Sequence, residues 1–370
     1  MRVIQRCNRW LDRSGGLPLN IRISTLAHSH DSPMGFKIQK GVDSLITTLQ
    51  THSRRWRYLD IRTPFSLHVM HDECPLEYLC ISLHPDPAPP SMLMKCKSLP
   101  NLRKVYLSSV SLDCIHIPWD NITHIKLASP LYISDCQNVF RRCPKLVYCS
   151  FSSVIKGRVE GNAVLDTIRL PSLKFLELGR SEWSTDALMP CNLELPALEE
   201  LRYGYWSEAG SLLSLLKHSS CRLQSLILDN TNVPWSDFAS LLENTPDLKR
   251  LSLRTGQYYT RLFTELSKTT EGLLPNLEIL DYSLVMMGPH ISWPTLASLL
   301  EDICNSSSTF PDPRDIPSVT PRPLKAIILT TRSRKGPDAQ SIPKFMGKAS
   351  VSLYNIYLWK TKTWLPQMIY

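Results

Sequence analysis

The chain has 370 residues, 43% of them hydrophobic and 20% charged, which suits a folded protein with a sizeable core and excludes a disordered or fibrous one. No run approaches the roughly 18 apolar residues a membrane helix needs, and the basic residues 1–11 lack the apolar centre of a secretory signal. An intracellular protein, cytoplasmic or nuclear and not bound to a membrane, is therefore expected. The net charge of +9 belongs to the two ends: residues 1–62 hold 11 basic and 4 acidic groups, residues 322–370 hold 9 and 1, and the stretch between holds 22 and 28. A nucleic-acid reader gathers its basic residues on one face, which this distribution does not do.

Residues 1–52 read as an N-terminal cap. Alternation in Leu19-Asn-Ile-Arg-Ile23 predicts a strand, and Val42, Leu45, Ile46 and Leu49 fall at helical spacing over residues 42–50. From residue 53 a repeat sets in, in which one apolar residue is followed by a second three positions later and a third two positions after that. It begins as Trp56/Leu59/Ile61, Leu76/Leu79/Ile81, Leu102/Val105/Leu107 and Ile122/Ile125/Leu127. It continues as Leu146/Cys149/Phe151, Leu173/Leu176/Leu178, Leu198/Leu201/Tyr203, Leu223/Leu226/Leu228, Leu248/Leu251/Leu253 and Leu277/Leu280/Tyr282. Two further copies are read as Leu324/Ile327/Leu329 and Leu353/Ile356/Leu358.

Successive first positions lie 20, 26, 20, 24, 27, 25, 25, 25, 29, 47 and 29 residues apart, and leucine-rich repeats run about 20–29. Prolines such as Pro75, Pro100, Pro144 and Pro246 stand just before the first apolar residue, where a strand tolerates a missing N–H. The fold expected is α/β: a leucine-rich-repeat solenoid of about 12 irregular repeats, with a curved parallel sheet on the concave side and helices and loops on the convex side. Ser236 is a candidate N-cap for a return helix, and residues 235–243 recur in similar form as residues 293–301. Repeats occupy residues 53–304. Residues 305–321 form a Pro/Ser-rich insert, and residues 322–370 hold the terminal repeats and a basic cap in which Trp359 and Trp364 cover the last apolar edge.

Within each strand the variable positions alternate with the buried ones and face outward on the concave side. They supply the candidate partner-binding residues Tyr58, Arg62, Tyr78, Lys104, Tyr106, His124, Lys126, Tyr148, Phe175, Glu177, Arg202, Asp229, Arg250, Arg254, Asp281, Tyr357 and Trp359, with Asp60, Glu200 and Asn355 beside them. Six Arg or Lys against five Asp or Glu, interleaved with aromatics, suits a protein or peptide ligand. A phosphate backbone would call for many unopposed cations.

The segment Trp10-Leu-Asp-Arg-Ser-Gly-Gly-Leu-Pro-Leu19, the strand after it and the run Ser53-Arg-Arg-Trp-Arg-Tyr-Leu-Asp-Ile61 together resemble the F-box/leucine-rich-repeat proteins of mushroom-forming fungi. The resemblance implies a substrate receptor of a cullin-type ubiquitin ligase, whose F-box grips a Skp-type adaptor while the repeats hold the substrate. The F-box would precede Trp10, where nine residues stand, so the adaptor is expected as a partner only with an F-box encoded upstream. The alternatives are a free-standing repeat protein, such as an inhibitor, and nucleic-acid binding through the basic ends, including Arg332, Arg334 and Lys335. A monomer is expected.

Eleven cysteines, an odd number without Cys-x-x-Cys spacing, read as reduced thiols packed as small apolar groups. His68, His71, Asp72, Glu73 and Cys74 are the best metal candidates, with His28, His30 and Asp31 behind them, but neither set has a zinc-site pattern. Neither a Gly-x-Ser-x-Gly elbow nor a phosphate-binding glycine loop occurs, so no catalytic activity and no cofactor is expected.

Overall fold

The computed structural model describes residues 2–24, 33–63, 69–83, 94–155, 167–179, 193–204, 209–229, 233–254, 259–267, 273–283, 298, 324–331 and 350–355. The chain divides into two compact units, residues 1–198 and 199–370. Both are α/β, each with parallel strands connected by returning segments.

The first unit opens with helix α1 (Arg2–Arg13), which turns Leu11 inward at 1% exposure. Gly15, at φ +54, ends the helix in the left-handed region that glycine adopts without strain. Strand β1 (Leu19–Ser24) then alternates buried Leu19, Ile21 and Ile23 with exposed Asn20, Arg22 and Ser24, as its sequence predicts. Helix α2 (Pro33–Gln50) covers the predicted residues 42–50 and starts nine residues earlier than its apolar spacing alone indicates.

Next come β2 (Trp56–Thr63), β3 (Val69–Glu73), β4 (Tyr78–Leu83), β5 (Met94–Ser98), β6 (Lys104–Ser108), β7 (Ile115–His116) and β8 (His124–Tyr132). Helix α3 (Ile133–Arg142) follows, then β9 (Tyr148–Ile155), β10 (Ile168–Arg169), β11 (Phe175–Leu178) and β12 (Leu193–Glu194). Strands β1, β2, β4, β6, β8, β9 and β11 pair in that order, all parallel.

Parallel neighbours need a return path, and here several of the returns are short extended strands where others are helices. Strands β3, β5 and β7 form their own three-stranded parallel sheet, and β10 pairs with β12. An extended chain covers about 3.3 Å per residue and a helix about 1.5 Å, so a return over the same distance takes half as many residues when extended. The 20-residue intervals at Trp56 and Leu102 have little length for a helix. Where α3 forms, Asp135 accepts the Tyr132 backbone N–H at 3.1 Å, and Arg141 and Arg142 sit in the last turn, complementing the helix dipole.

The second unit contains β13 (Glu200–Tyr203), α4 (Ala209–Ser219), β14 (Ser225–Asp229), α5 (Trp235–Glu243), β15 (Arg250–Arg254), α6 (Tyr259–Ser267), β16 (Ile279–Ser283), β17 (Ala326–Thr331) and β18 (Ser350–Asn355). Strands β13 to β18 pair in chain order, all parallel. Helix α5 corrects the proposed Ser236 cap: the helix begins at Trp235 with Pro234 before it, and Ser236 stands in the first turn with its hydroxyl 3.5 Å from Asp237 Oδ1. A proline favours this start because its fixed φ and missing N–H cost little there.

All members of the ten triads from Trp56/Leu59/Ile61 to Leu277/Leu280/Tyr282 are at most 3% exposed. Register explains why. In the first unit Leu59, Leu79, Val105, Ile125, Cys149 and Leu176 stand opposite one another, as do Ile61, Ile81, Leu107, Leu127, Phe151 and Leu178. In the second unit the corresponding ladders are Leu201, Leu226, Leu251, Leu280 and Ile327, and Tyr203, Leu228, Leu253, Tyr282 and Leu329.

The last copy is corrected by the same register. Val351 pairs with Ile327 and Leu353 with Leu329, so Leu353 holds a third position rather than a first. Strand pairing follows the two-residue alternation, which Val351 and Leu353 satisfy. Ser350, Ser352 and Tyr354 therefore take the outward register positions assigned to later residues. Asn355 falls opposite Thr331, while Tyr357, Trp359, Trp364 and the Pro/Ser-rich insert lie outside the described residues.

Candidate interaction surface

Alternation places three outward rows beside the buried ladders. In the first unit one row runs Asn20, Tyr58, Tyr78, Lys104, His124, Tyr148 and Phe175, each opposite the next on adjacent strands. The row beside it runs Arg22, Asp60, Cys80, Tyr106, Lys126, Ser150 and Glu177, and Arg62 starts a third with Ser24 and Ser82. The candidates Tyr58, Tyr78, Tyr106, His124, Tyr148, Phe175 and Glu177 are half-buried, and Arg62, Lys104 and Lys126 are exposed.

The aromatics use one another's faces. Tyr58 stacks on Tyr78 with centroids 4.3 Å apart and planes 5° from parallel, and Tyr148 stacks on Phe175 at 4.3 Å and 6°. His124 lies on the other side of Tyr148 at 6.0 Å and 16°. A parallel sheet sets neighbouring strands about 4.8 Å apart, so like rings at one register position stack across it.

Charges on this face are unevenly committed. Asp60 is 1% exposed although its register places it outward, with Arg22 Nε 3.4 Å from one carboxylate oxygen and Arg62 Nε 3.0 Å from the other. That corrects the expectation of Asp60 as an accessible contact. A carboxylate this short is covered by the longer guanidinium stems around it. Glu177 accepts a hydrogen bond from the Ser150 hydroxyl at 2.7 Å. Lys126 stands 6.0 Å from the Tyr106 ring centroid. Desolvation, with the Lys104 ammonium as a second cause, holds His124 below the usual imidazole range.

In the second unit the first row runs Glu200, Ser225, Arg250 and Ile279, and the row beside it Arg202, Ile227, Ser252 and Asp281. Most charges here are paired with their own face. Arg202 Nε meets Glu200 Oε1 at 2.9 Å, Arg254 Nε lies 3.3 Å from Asp229 Oδ1, and the Ser252 hydroxyl donates to Asp281 at 3.1 Å. Arg250 is exposed at the centre of the first row.

The sequence reading left out Asn20 and Arg22, which extend the first unit's face by one strand. The signal was present in the alternation of residues 19–23, and only pairing of that strand to residues 56–62 was lacking. It also left out the segment around Trp10 as a structural joint. There Arg55 Nη2 donates to the Ser14 hydroxyl at 2.6 Å and Arg55 Nε to the Leu17 carbonyl at 2.9 Å, tying the end of α1 to the start of β2. Trp10, Val3 and Leu17 are 50%, 68% and 67% exposed.

Other chemistry is sparse. Of the metal candidates, Cys74 is buried, its thiol donates to the Ser53 carbonyl at 3.2 Å, and burial pushes its pKa up to about 11, which disfavours the thiolate a metal needs. His68, His28, His30 and Asp31 lie outside the described residues, and no group of three metal-ligating side chains occurs among the described ones. Cys80 and Cys149 are completely buried, and burial beside Asp60 pushes the Cys80 thiol up to about 12. A pocket of about 390 Å³ between α1, β1 and α2 is lined mainly by Ile4, Ile23, Ile38, Val42 and Leu45, with Arg22 its one charged group. Among the described residues no helix is long and apolar enough to cross a membrane.

No family model, no curated protein and no solved structure matches the chain.

Proposed function

We propose that the chain is a leucine-rich-repeat solenoid that binds a protein partner on its outward sheet rows. In this reading it serves as the substrate-recognition part of an F-box-type ubiquitin-ligase receptor. The repeat reading is supported by the 20–29-residue spacing of ten consecutive triads and, within each unit, by parallel strands in matching register. The observation that carries the binding reading is the line of half-buried aromatic rings set among exposed cations at fixed register: Tyr58, Tyr78, Tyr106, Tyr148 and Phe175 beside Arg62, Lys104 and Lys126. Rigid aromatics lose little entropy when covered, and such residues with Arg dominate the energetics of protein interfaces. Ligase coupling rests on the resemblance around Trp10 alone.

The test is affinity capture of the tagged full chain with quantitative mass spectrometry, comparing the wild type with two sets of variants. Tyr148→Asp and Arg250→Glu alter the sheet face, whereas Arg141→Glu and Lys217→Glu alter exposed helix positions. A partner lost with the sheet-face variants and kept with the helix variants is the expected result. Its retention by all four would refute the binding reading. A Skp-type adaptor and cullin among the captured proteins supports the ligase role, and a stable partner without them makes the chain a free-standing binder.

A further inference from the structure

The two units present different charge to a partner. In the second unit most outward carboxylates and guanidiniums are paired with one another, so that face is close to self-neutralised. In the first unit the two outward carboxylates are withdrawn: Asp60 is buried beneath Arg22 and Arg62, and Glu177 accepts from Ser150. The cations at the centre of that face are not withdrawn. Lys104 and Lys126 are exposed, and no acidic partner stands beside either among the described residues. They are diagonal neighbours across β6 and β8, a separation of about 7–8 Å in such a pair.

We propose that the first unit's sheet face takes an extended acidic segment of a partner protein, seating carboxylates on Lys104 and Lys126 and apolar side chains along the flanking aromatic pairs. The proposal rests on the binding reading above and names the chemistry of the partner. Tyr58 with Tyr78 lies on one side of the two lysines, and Tyr148 with Phe175 on the other. Because each ring is stacked against its neighbour, the edges are what an incoming chain meets, and ring edges carry the positive end of the quadrupole. Edges and ammonium groups thus favour the same kind of ligand, one rich in carbonyl and carboxylate oxygen. A single-stranded nucleic acid needs open ring faces on which bases can stack and a longer track of cations for its phosphates. Mutual stacking takes one face of each ring in the two pairs, and two of the four cations are committed to Asp60.

The test uses the full chain and three fluorescein-labelled probes read by fluorescence anisotropy at low salt: a random copolymer of glutamate and tyrosine, a copolymer of lysine and tyrosine, and a thirty-nucleotide oligo-dT. The expected order is glutamate–tyrosine bound most tightly. K104E together with K126E should weaken it at least about tenfold, and K217E at an exposed helix position of the second unit should change it by less than about twofold. Circular dichroism confirms folding of each variant, and K104Q with K126Q replaces the charge reversal if that variant is unfolded. Absence of binding, equal binding by the lysine variants, or oligo-dT bound more tightly than the acidic copolymer would each overturn the proposal. These failures are distinct from failure of the binding reading: a captured partner lost on Tyr148→Asp or Arg250→Glu would leave that reading standing while the acidic partner falls.

Discussion

Arg62 holds its guanidinium Nε 3.0 Å from the carboxylate of Asp60 two residues earlier, and that carboxylate is 1% exposed on a strand face that register turns outward. Arg22 approaches the same group from the adjacent strand at 3.4 Å. A buried carboxylate that loses a cationic partner keeps its desolvation cost. Arg62→Ala should therefore destabilise the first unit by about 1–2 kcal/mol, reduced from the fully buried case because the guanidinium is half in solvent and Arg22 remains. Arg22→Ala together with Arg62→Ala should cost more than the two single changes added. Urea denaturation of the four proteins checks this, and strict additivity would contradict the shared-partner geometry.

Gly179 follows β11 with its N–H donating to the Phe151 carbonyl, and a Cβ placed on it would stand 2.1 Å from the Ser152 carbonyl oxygen. Backbone cannot yield that far, so Gly179→Ala should lower stability by about 1–3 kcal/mol or more. Gly41, inside α2, meets nothing within 4 Å of an added Cβ. Gly41→Ala should raise stability by about 0.5–1 kcal/mol through helix propensity. Opposite signs for the two substitutions in thermal melts are the expected outcome.

His124 titrates below its ordinary value of 6.5 because of desolvation first and Lys104 second. The unfolded chain thus takes the proton more readily than the folded one. The stability this group contributes is complete above pH 6.5 and is lost as pH falls through the folded pKa. An NMR titration of the imidazole should place its midpoint below 6.5, and Lys104→Gln should move it upward. A midpoint at or above 6.5 would count against the packing drawn around this ring.

Neighbouring residues on one strand should behave oppositely. Leu251 is completely buried and Arg250 exposed on β15. Leu251→Ala should cost about 2–5 kcal/mol and Arg250→Ala less than about 0.5 kcal/mol. Chemical denaturation of the two variants checks the assignment of inward and outward positions.

The buried ladders were legible because a triad of apolar residues is a local pattern, repeated at nearly constant spacing, and strand alternation converts it directly into a face. The outward positions followed from the same alternation. What stayed hidden depended on neighbours across the sheet: the burial of Asp60 under Arg22, the stacking of Tyr148 on Phe175, and the commitment of Glu177 to Ser150. The shift of the last copy to Val351 and Leu353 had the same origin, since two apolar patterns overlap there and only pairing with β17 selects one. Extended returns such as β3 and β5 were obscured by their length of five residues, too short for a periodicity to declare itself.

The central claim is that a protein partner lies on the outward sheet rows. Photo-crosslinking tests it most directly, with benzoylphenylalanine installed in the full chain at Tyr78, Tyr148 or Arg250 and, for comparison, at the exposed helix positions Arg141 and Lys217. The expected result is one discrete crosslinked protein shared by the sheet positions and absent from the helix positions. Crosslinks to a common protein from the helix positions alone would contradict it.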